Sequence, residues 1–79
     1  MALTFFGKDP NSTDGECPTV WFDDTAQEFV IQGWKADEAL QAKCLDVGPI
    51  PESEAVVRVP ARMAHMIMEA VDAAERAHA

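Results

Sequence analysis

The segment 19–35 constrains the fold of this chain more than any other part of the sequence. Two runs rich in β-branched and aromatic residues, 19–23 and 28–35, flank the polar tetrapeptide Asp24-Thr25-Ala26-Gln27. Runs of this composition around a short polar segment are typical of a β-hairpin, here with a four-residue loop. We therefore expect an antiparallel sheet built around this hairpin.

The loop length also predicts the register and the faces of the hairpin, because successive residues of a strand point to opposite faces. Trp21 is expected opposite Val30, with Phe22 opposite Phe29 and Val20 opposite Ile31. The face expected to turn toward the core carries Val20, Phe22, Phe29, Ile31 and Gly33. The other face carries Trp21, Val30 and Trp34, and it is unusually aromatic for a surface that meets water.

The rest of the chain supplies a further strand and two helices. Residues 55–59 predict a third strand, with Ala55, Val57 and Val59 on one face and Val56 and Arg58 on the other. Asp37 is a candidate N-cap for a short helix near 37–45, and residues 60–77 predict a longer helix with apolar residues at 3.6-residue spacing. The predicted fold class is α+β, with a small antiparallel sheet (hairpin 19–35 plus strand 55–59) backed by the C-terminal helix 60–77.

Length and charge limit the classes of function. The 79 residues predict one domain, 1–79. A chain of this mass buries only about 60 % of its unfolded surface, so it has few residues with which to cover both faces of a sheet. Lys and Arg total 6 against 14 Asp and Glu, a formal net charge of −8. This acidic balance argues against direct nucleic-acid binding, which needs clustered cations.

The sequence has no feature of a membrane or secreted protein. Its apolar runs are far shorter than the ~20 residues of a spanning helix. The first residues lack the basic region that opens a signal peptide. We expect a cytoplasmic protein that does not bind membranes, in which Cys17 and Cys44 stay reduced.

Few residues are suited to catalysis or metal binding. The turn-rich loop that begins at Asp9 resembles a calcium loop in its alternate polar residues, but it lacks the glycine and the bidentate glutamate that such a loop needs, and it predicts a solvated turn. The histidines are His65, on the polar side of the long helix, and His78. We expect no catalytic residue, no metal ligand and no cofactor.

Several stretches resemble a group of small actinobacterial proteins of unassigned function that are often encoded beside helix-turn-helix regulators. The resemblance implies a regulatory or accessory binding role and carries no catalytic or ligand residue. Its most specific part is Gln32-Gly33-Trp34-Lys35. The matching stretches are Phe6-Gly7-Lys8-Asp9-Pro10, Pro18-Thr19-Val20-Trp21, Val30-Ile31-Gln32-Gly33-Trp34-Lys35, Ile50-Pro51-Glu52 and Val57-Arg58-Val59-Pro60.

The aromatic face is open to two interpretations. It is covered internally, either by Leu3, Phe5 or Phe6 or by the helix 37–45, or it is a surface for a partner. In the second case the protein is a non-enzymatic interaction module. Its partner is a second copy (a homodimer) or another protein, such as a DNA-binding regulator whose basic domain attracts this acidic chain. The candidate partner-binding residues are Trp21, Val30, Trp34 and Arg58.

The alternative function is binding or conversion of a small molecule. It requires an aromatic pocket near Trp34, with His65 as the proton carrier. Saturable quenching of tryptophan fluorescence by one class of compound would favour this alternative.

Overall fold

The larger of two sheets is three-stranded and antiparallel, in a computed structural model that describes residues 2–11 and 15–77. Its strands lie in the order β1 (Leu3–Lys8), β2 (Thr19–Asp23) and β3 (Glu28–Gln32). The predicted α+β class is confirmed, because two helices accompany the two sheets.

The hairpin formed by β2 and β3 has the register that its loop length predicts. Trp21 lies opposite Val30, and the neighbouring pairs are also as expected. The buried carboxylate of Asp23 holds the turn, since its Oδ1 accepts hydrogen bonds from the backbone N–H groups of Thr25 and Ala26, at 3.0 and 3.1 Å. Asp23 is therefore part of the turn structure and not only a surface charge.

The third strand of this sheet is the N-terminal β1, and not the segment 55–59 that the sequence predicted in that place. The register between β1 and β2 shifts between Phe5 and Gly7, so Phe6 occupies a β-bulge. Gly7 has a φ of 150°, and a Cβ there would lie 2.6 Å from Sδ of Met66. Glycine thus allows the C-terminal helix to approach the strand closely.

A second sheet continues the hairpin beyond Gly33. It pairs β4 (Trp34–Lys35) with β5 (Val57–Arg58), so the strand predicted over 55–59 is shorter and lies in a sheet separate from the three-stranded one. A Cβ on Gly33 would collide with the carbonyl oxygen of Arg58. The two strands reach each other because this position is a glycine.

Both predicted helices are present. Helix α1 (Glu38–Leu45) is capped by Asp37, whose carboxylate accepts a hydrogen bond from the N–H of Leu40 at 2.8 Å. Helix α2 (Ala64–Ala77) follows a 3₁₀ turn over Ala61–Met63, so the helix predicted over 60–77 begins with a tighter turn.

The core lies between α2 and the strands β1 and β2. Met63 is fully buried, and Val20 and Ala70 complete the buried cluster. Half-buried side chains surround it: Phe6, Val59, Met66 and Ile67. Phe29 and Ile31 share a face with this core, yet both are exposed, because the helix covers the first two strands and not the third.

The molecule is flat and exposes more surface than its mass predicts. Its principal extents are 37 × 31 × 20 Å, and its radius of gyration is 14.0 Å, against about 12 Å for a compact chain of this length. Its accessible surface of 5876 Å² is about a quarter larger than the ~4,700 Å² expected from the mass. The fold therefore leaves surface that a compact monomer would have buried.

Candidate functional site

Strand β3 is an exposed edge without the usual protection of an edge strand. Its sequence is Glu28-Phe29-Val30-Ile31-Gln32, and all five residues are exposed. Edge strands of soluble proteins are commonly blunted by lysine, proline, a bulge or a covering segment. β3 has no lysine or proline, its register with β2 is unbroken, and its three central residues are apolar. Its free side is thus suited to pairing with another strand.

The opposite edge of the sheet differs in this respect. β1 carries the bulge at Phe6 and ends at Lys8. Both features disfavour the addition of a strand. Of the two edges, β3 is the one with an unbroken register and no lysine.

An open apolar groove of about 500 Å³ adjoins β3 on the side of α2. It is lined by Phe29 from the strand and by Val71, Ala74 and Glu75 from the helix. The ring of Phe29 contacts buried Phe22, at 5.7 Å between ring centroids and 51° between ring planes. The groove therefore has one aromatic wall, which packs on the core, and a carboxylate among its lining residues.

On the other side of the sheet, the predicted pair of Trp21 and Val30 forms a row with Phe5. The three residues are cross-strand neighbours on β1, β2 and β3. Trp21 is half-buried, while Phe5 is 55 % exposed and Val30 37 %. The N-terminal strand thus widens the aromatic face instead of folding over it. Phe6 points the other way, toward the core cluster.

The other predicted pair, Trp34 and Arg58, lies in the second sheet. These residues are directly opposite each other on β4 and β5. The structure therefore unites Trp21 with Val30 and Trp34 with Arg58, but in two different sheets. Local alternation did not reveal this division, because it depends on the break at Gly33.

A small depression of about 190 Å³ lies beside Trp34, the place required by the small-molecule alternative. Its volume is below the roughly 300–1,000 Å³ of typical ligand pockets. Trp34 is its one aromatic lining residue, and His65 does not line it. The other lining residues are Gly15, Glu16, Cys17, Pro18, Gln32 and Gly33.

Asp9 is buried, although the sequence predicted a solvated turn. Both of its carboxylate oxygens accept hydrogen bonds from the guanidinium of Arg62, at 2.6 and 2.5 Å. This interaction raises the pKa of Arg62 above its ordinary value, chiefly through the hydrogen bond to Asp9. The backbone N–H of Asp9 also donates to the carbonyl of Pro18 at 2.8 Å. Asp9 thus joins the two ends of the loop between β1 and β2 to each other and to the turn before α2.

Other candidate groups are dispersed. His65 is exposed on α2, and Cys17 and Cys44 are half-buried free thiols. Across residues 2–11 and 15–77, no cluster of three or more His, Cys, Asp or Glu side chains could hold a metal ion. In the same part of the chain, no helix has the length and apolarity to cross a bilayer. Ser12, Thr13 and His78 lie outside the described residues.

Comparison with known proteins found no match. No protein-family model, no curated protein and no solved structure is significantly similar to this chain.

Proposed function

We propose that the protein is a non-enzymatic protein-interaction module whose binding surface is the edge strand β3 together with the apolar residues beside it. The observation that carries this proposal is the exposure of the three apolar residues at the centre of an unprotected edge strand. Phe29 is 49 % exposed, Val30 37 % and Ile31 43 %. Phe29 and Ile31 lie on the α2 side of the sheet and Val30 on the other, so the edge exposes apolar side chains on both faces. Exposed apolar surface is frequent at interaction sites.

The physics of strand addition supports the same surface. An added strand gains main-chain hydrogen bonds from the free edge, and its alternate side chains contact the two faces of the sheet. On one face they meet the groove between Phe29 and α2, and on the other they meet the row of Phe5, Trp21 and Val30. Trp is a frequent contributor to binding energy at interfaces.

The acidic charge favours a partner with a basic surface, if the partner is another protein. The chain carries −8, and the groove has Glu75 at its rim. Such a charge accelerates encounter with a positively charged domain, for example that of a DNA-binding regulator. An accessory role beside such a regulator is in line with the sequence resemblance and is part of the proposal. The protein itself is not proposed to bind nucleic acid or membranes.

Site-specific photo-cross-linking in the native cell tests this function. A benzophenone amino acid is placed at position 30 and, in a control, at position 42, which is exposed on α1. We expect a defined covalent adduct at position 30 that is missing at position 42, and mass spectrometry identifies the attached protein. No adduct at position 30, or the same adducts at both positions, would contradict the proposal.

A third position tests the remaining predicted residues. Arg58 is exposed opposite Trp34, so a cross-linker at position 58 reports on the second sheet. An adduct with the same protein as at position 30 would place Trp34 and Arg58 within the partner surface. A negative result at position 58 limits the surface to Trp21, Val30 and their neighbours.

The small-molecule alternative is supported by the depression beside Trp34 alone. Its test is quenching of Trp34 fluorescence by a panel of metabolites, in a Trp21→Phe variant so that one indole reports. Saturable quenching by one class of compound would favour this alternative over the interaction module.

A further inference from the structure

We propose that the occupant of the β3 edge is a second copy of this chain, which pairs its own β3 antiparallel across a two-fold axis at Val30. This inference rests on the proposed function and names the partner of the same surface. The resulting sheet has six strands in the order β1-β2-β3-β3-β2-β1, with an α2 helix from each copy on one face.

The sequence of β3 is complementary to itself in this register. Val30 meets Val30 of the other copy, and Phe29 meets Ile31 in both directions. Glu28, the one charged residue of the strand, meets the neutral Gln32 of the other copy. Like charges directly opposite each other destabilise a strand pair, and this register avoids them while placing apolar residues against apolar residues.

The groove beside Phe29 accepts a side chain of the second copy. Residues that are opposite in a strand pair point to the same face, so Ile31 of the second copy lies on the α2 side next to Phe29. That position is the mouth of the groove lined by Phe29, Val71 and Ala74. The two-fold axis produces the same contact twice.

The interface formed by the two β3 strands is smaller than a standard one. A standard interface takes about 800 Å² from each partner, whereas two five-residue strands contribute only their backbones and flanking side chains. Its apolar residues are Phe29, Val30 and Ile31, which are 49 %, 37 % and 43 % exposed. An interface of this size predicts a weak dimer, of about micromolar affinity.

Net charge gives the association a characteristic salt dependence. Two chains of −8 repel each other, and added salt screens that repulsion. The dimer should therefore tighten several-fold as the salt concentration rises. A basic partner would show the opposite trend, because salt weakens attraction between opposite charges.

Charge-swap variants at the axis test this inference on the full chain. In Val30→Lys and in Val30→Glu, two like charges meet at the axis, so each variant alone should be monomeric by sedimentation or light scattering. An equimolar mixture should restore a particle of twice the 8.6 kDa chain mass. Val30 is partly exposed opposite Trp21, so both variants should keep the fold, which circular dichroism verifies.

Val47→Ser is the matched control, because Val47 is apolar and 95 % exposed but lies outside both sheets. This variant should dimerise as the unmodified chain does. Loss of the dimer in Val47→Ser would overturn the inference, because the association would then not depend on β3. Retention of the dimer in Val30→Lys alone would overturn it as well.

A chain that stays monomeric at all concentrations and salt levels would also overturn the inference. The proposed function is judged separately by the cross-linking at position 30. An adduct with a different protein there would keep the interaction module and reject the second copy. An adduct of two copies would support both.

Discussion

The guanidinium of Arg62 donates two hydrogen bonds to the buried carboxylate of Asp9, 53 residues earlier in the chain. The pair joins the end of β1 to the turn that precedes α2. It therefore fixes the two segments that enclose the core, although Arg62 itself is partly exposed.

Arg62→Gln should lower the melting temperature by on the order of 10 °C, because it removes the charged hydrogen-bond donor from the buried carboxylate of Asp9. Differential scanning calorimetry measures the change. Arg76→Gln removes the same charge at an exposed position of α2 and should change the melting temperature little. Equal effects of the two variants would contradict the structural role of the pair.

The stabilisation by Arg62 should not vary with pH in the neutral range. Its pKa is raised in the folded chain, so its contribution is fully present below the ordinary arginine pKa and is lost only as the pH rises through the folded pKa. The difference in melting temperature between the unmodified chain and Arg62→Gln should thus be the same at about pH 6 and about pH 9. A difference that shrinks between these values would refute the assignment.

Neighbouring phenylalanines on β1 should differ in how strongly their truncation destabilises the fold. Phe6→Ala removes a half-buried ring from the core cluster and should destabilise the fold by about 2–3 kcal/mol. Phe5→Ala removes an exposed ring and should cost less than about 1 kcal/mol. Urea unfolding measures both. The reverse order would show that the bulge does not turn Phe6 toward the helix.

The methionines of the C-terminal segment provide a second matched pair. Met63 is 0 % exposed, and Met63→Ala should destabilise the fold by about 2–4 kcal/mol through the cavity it leaves. Met68 is 59 % exposed, and Met68→Ala should stay within about 0.5 kcal/mol of the unmodified chain. Similar losses for the two variants would contradict the burial of Met63 and the exposure of Met68.

Gly33→Ala should disrupt the second sheet, since a Cβ would collide with the backbone carbonyl of Arg58. We expect a loss of about 1–3 kcal/mol and a red shift of the fluorescence from the adjacent Trp34. Gly48→Ala is the control, because a Cβ there meets nothing within 4 Å. An unchanged Trp34 spectrum in Gly33→Ala would argue against the close approach of β4 and β5.

Local patterns in the sequence were sufficient to predict the elements that depend on near neighbours. The hairpin register follows from a four-residue loop, and Asp37 caps α1 as its position indicated. The 3.6-residue spacing predicted α2, with a tighter first turn as the one difference. Each of these features is determined within a few residues of chain.

The features that sequence patterns missed depend on contacts between distant segments. The sequence placed Phe29 and Ile31 in the core, whereas α2 lies over β1 and β2 and leaves them exposed. No local signal states which two of three strands one helix will cover. The burial of Asp9 was missed for the same reason, because its partner Arg62 is far away in sequence.

The bulge at Phe6 limits how far any sheet built on this chain can grow. A strand can be added at β3, but the interrupted register of β1 offers a poor template on the far side. Growth is therefore one-sided, and two chains that join at β3 each present only a blunted outer strand. A dimer joined at β3 would therefore be a closed assembly, because the bulge blunts both of its outer strands.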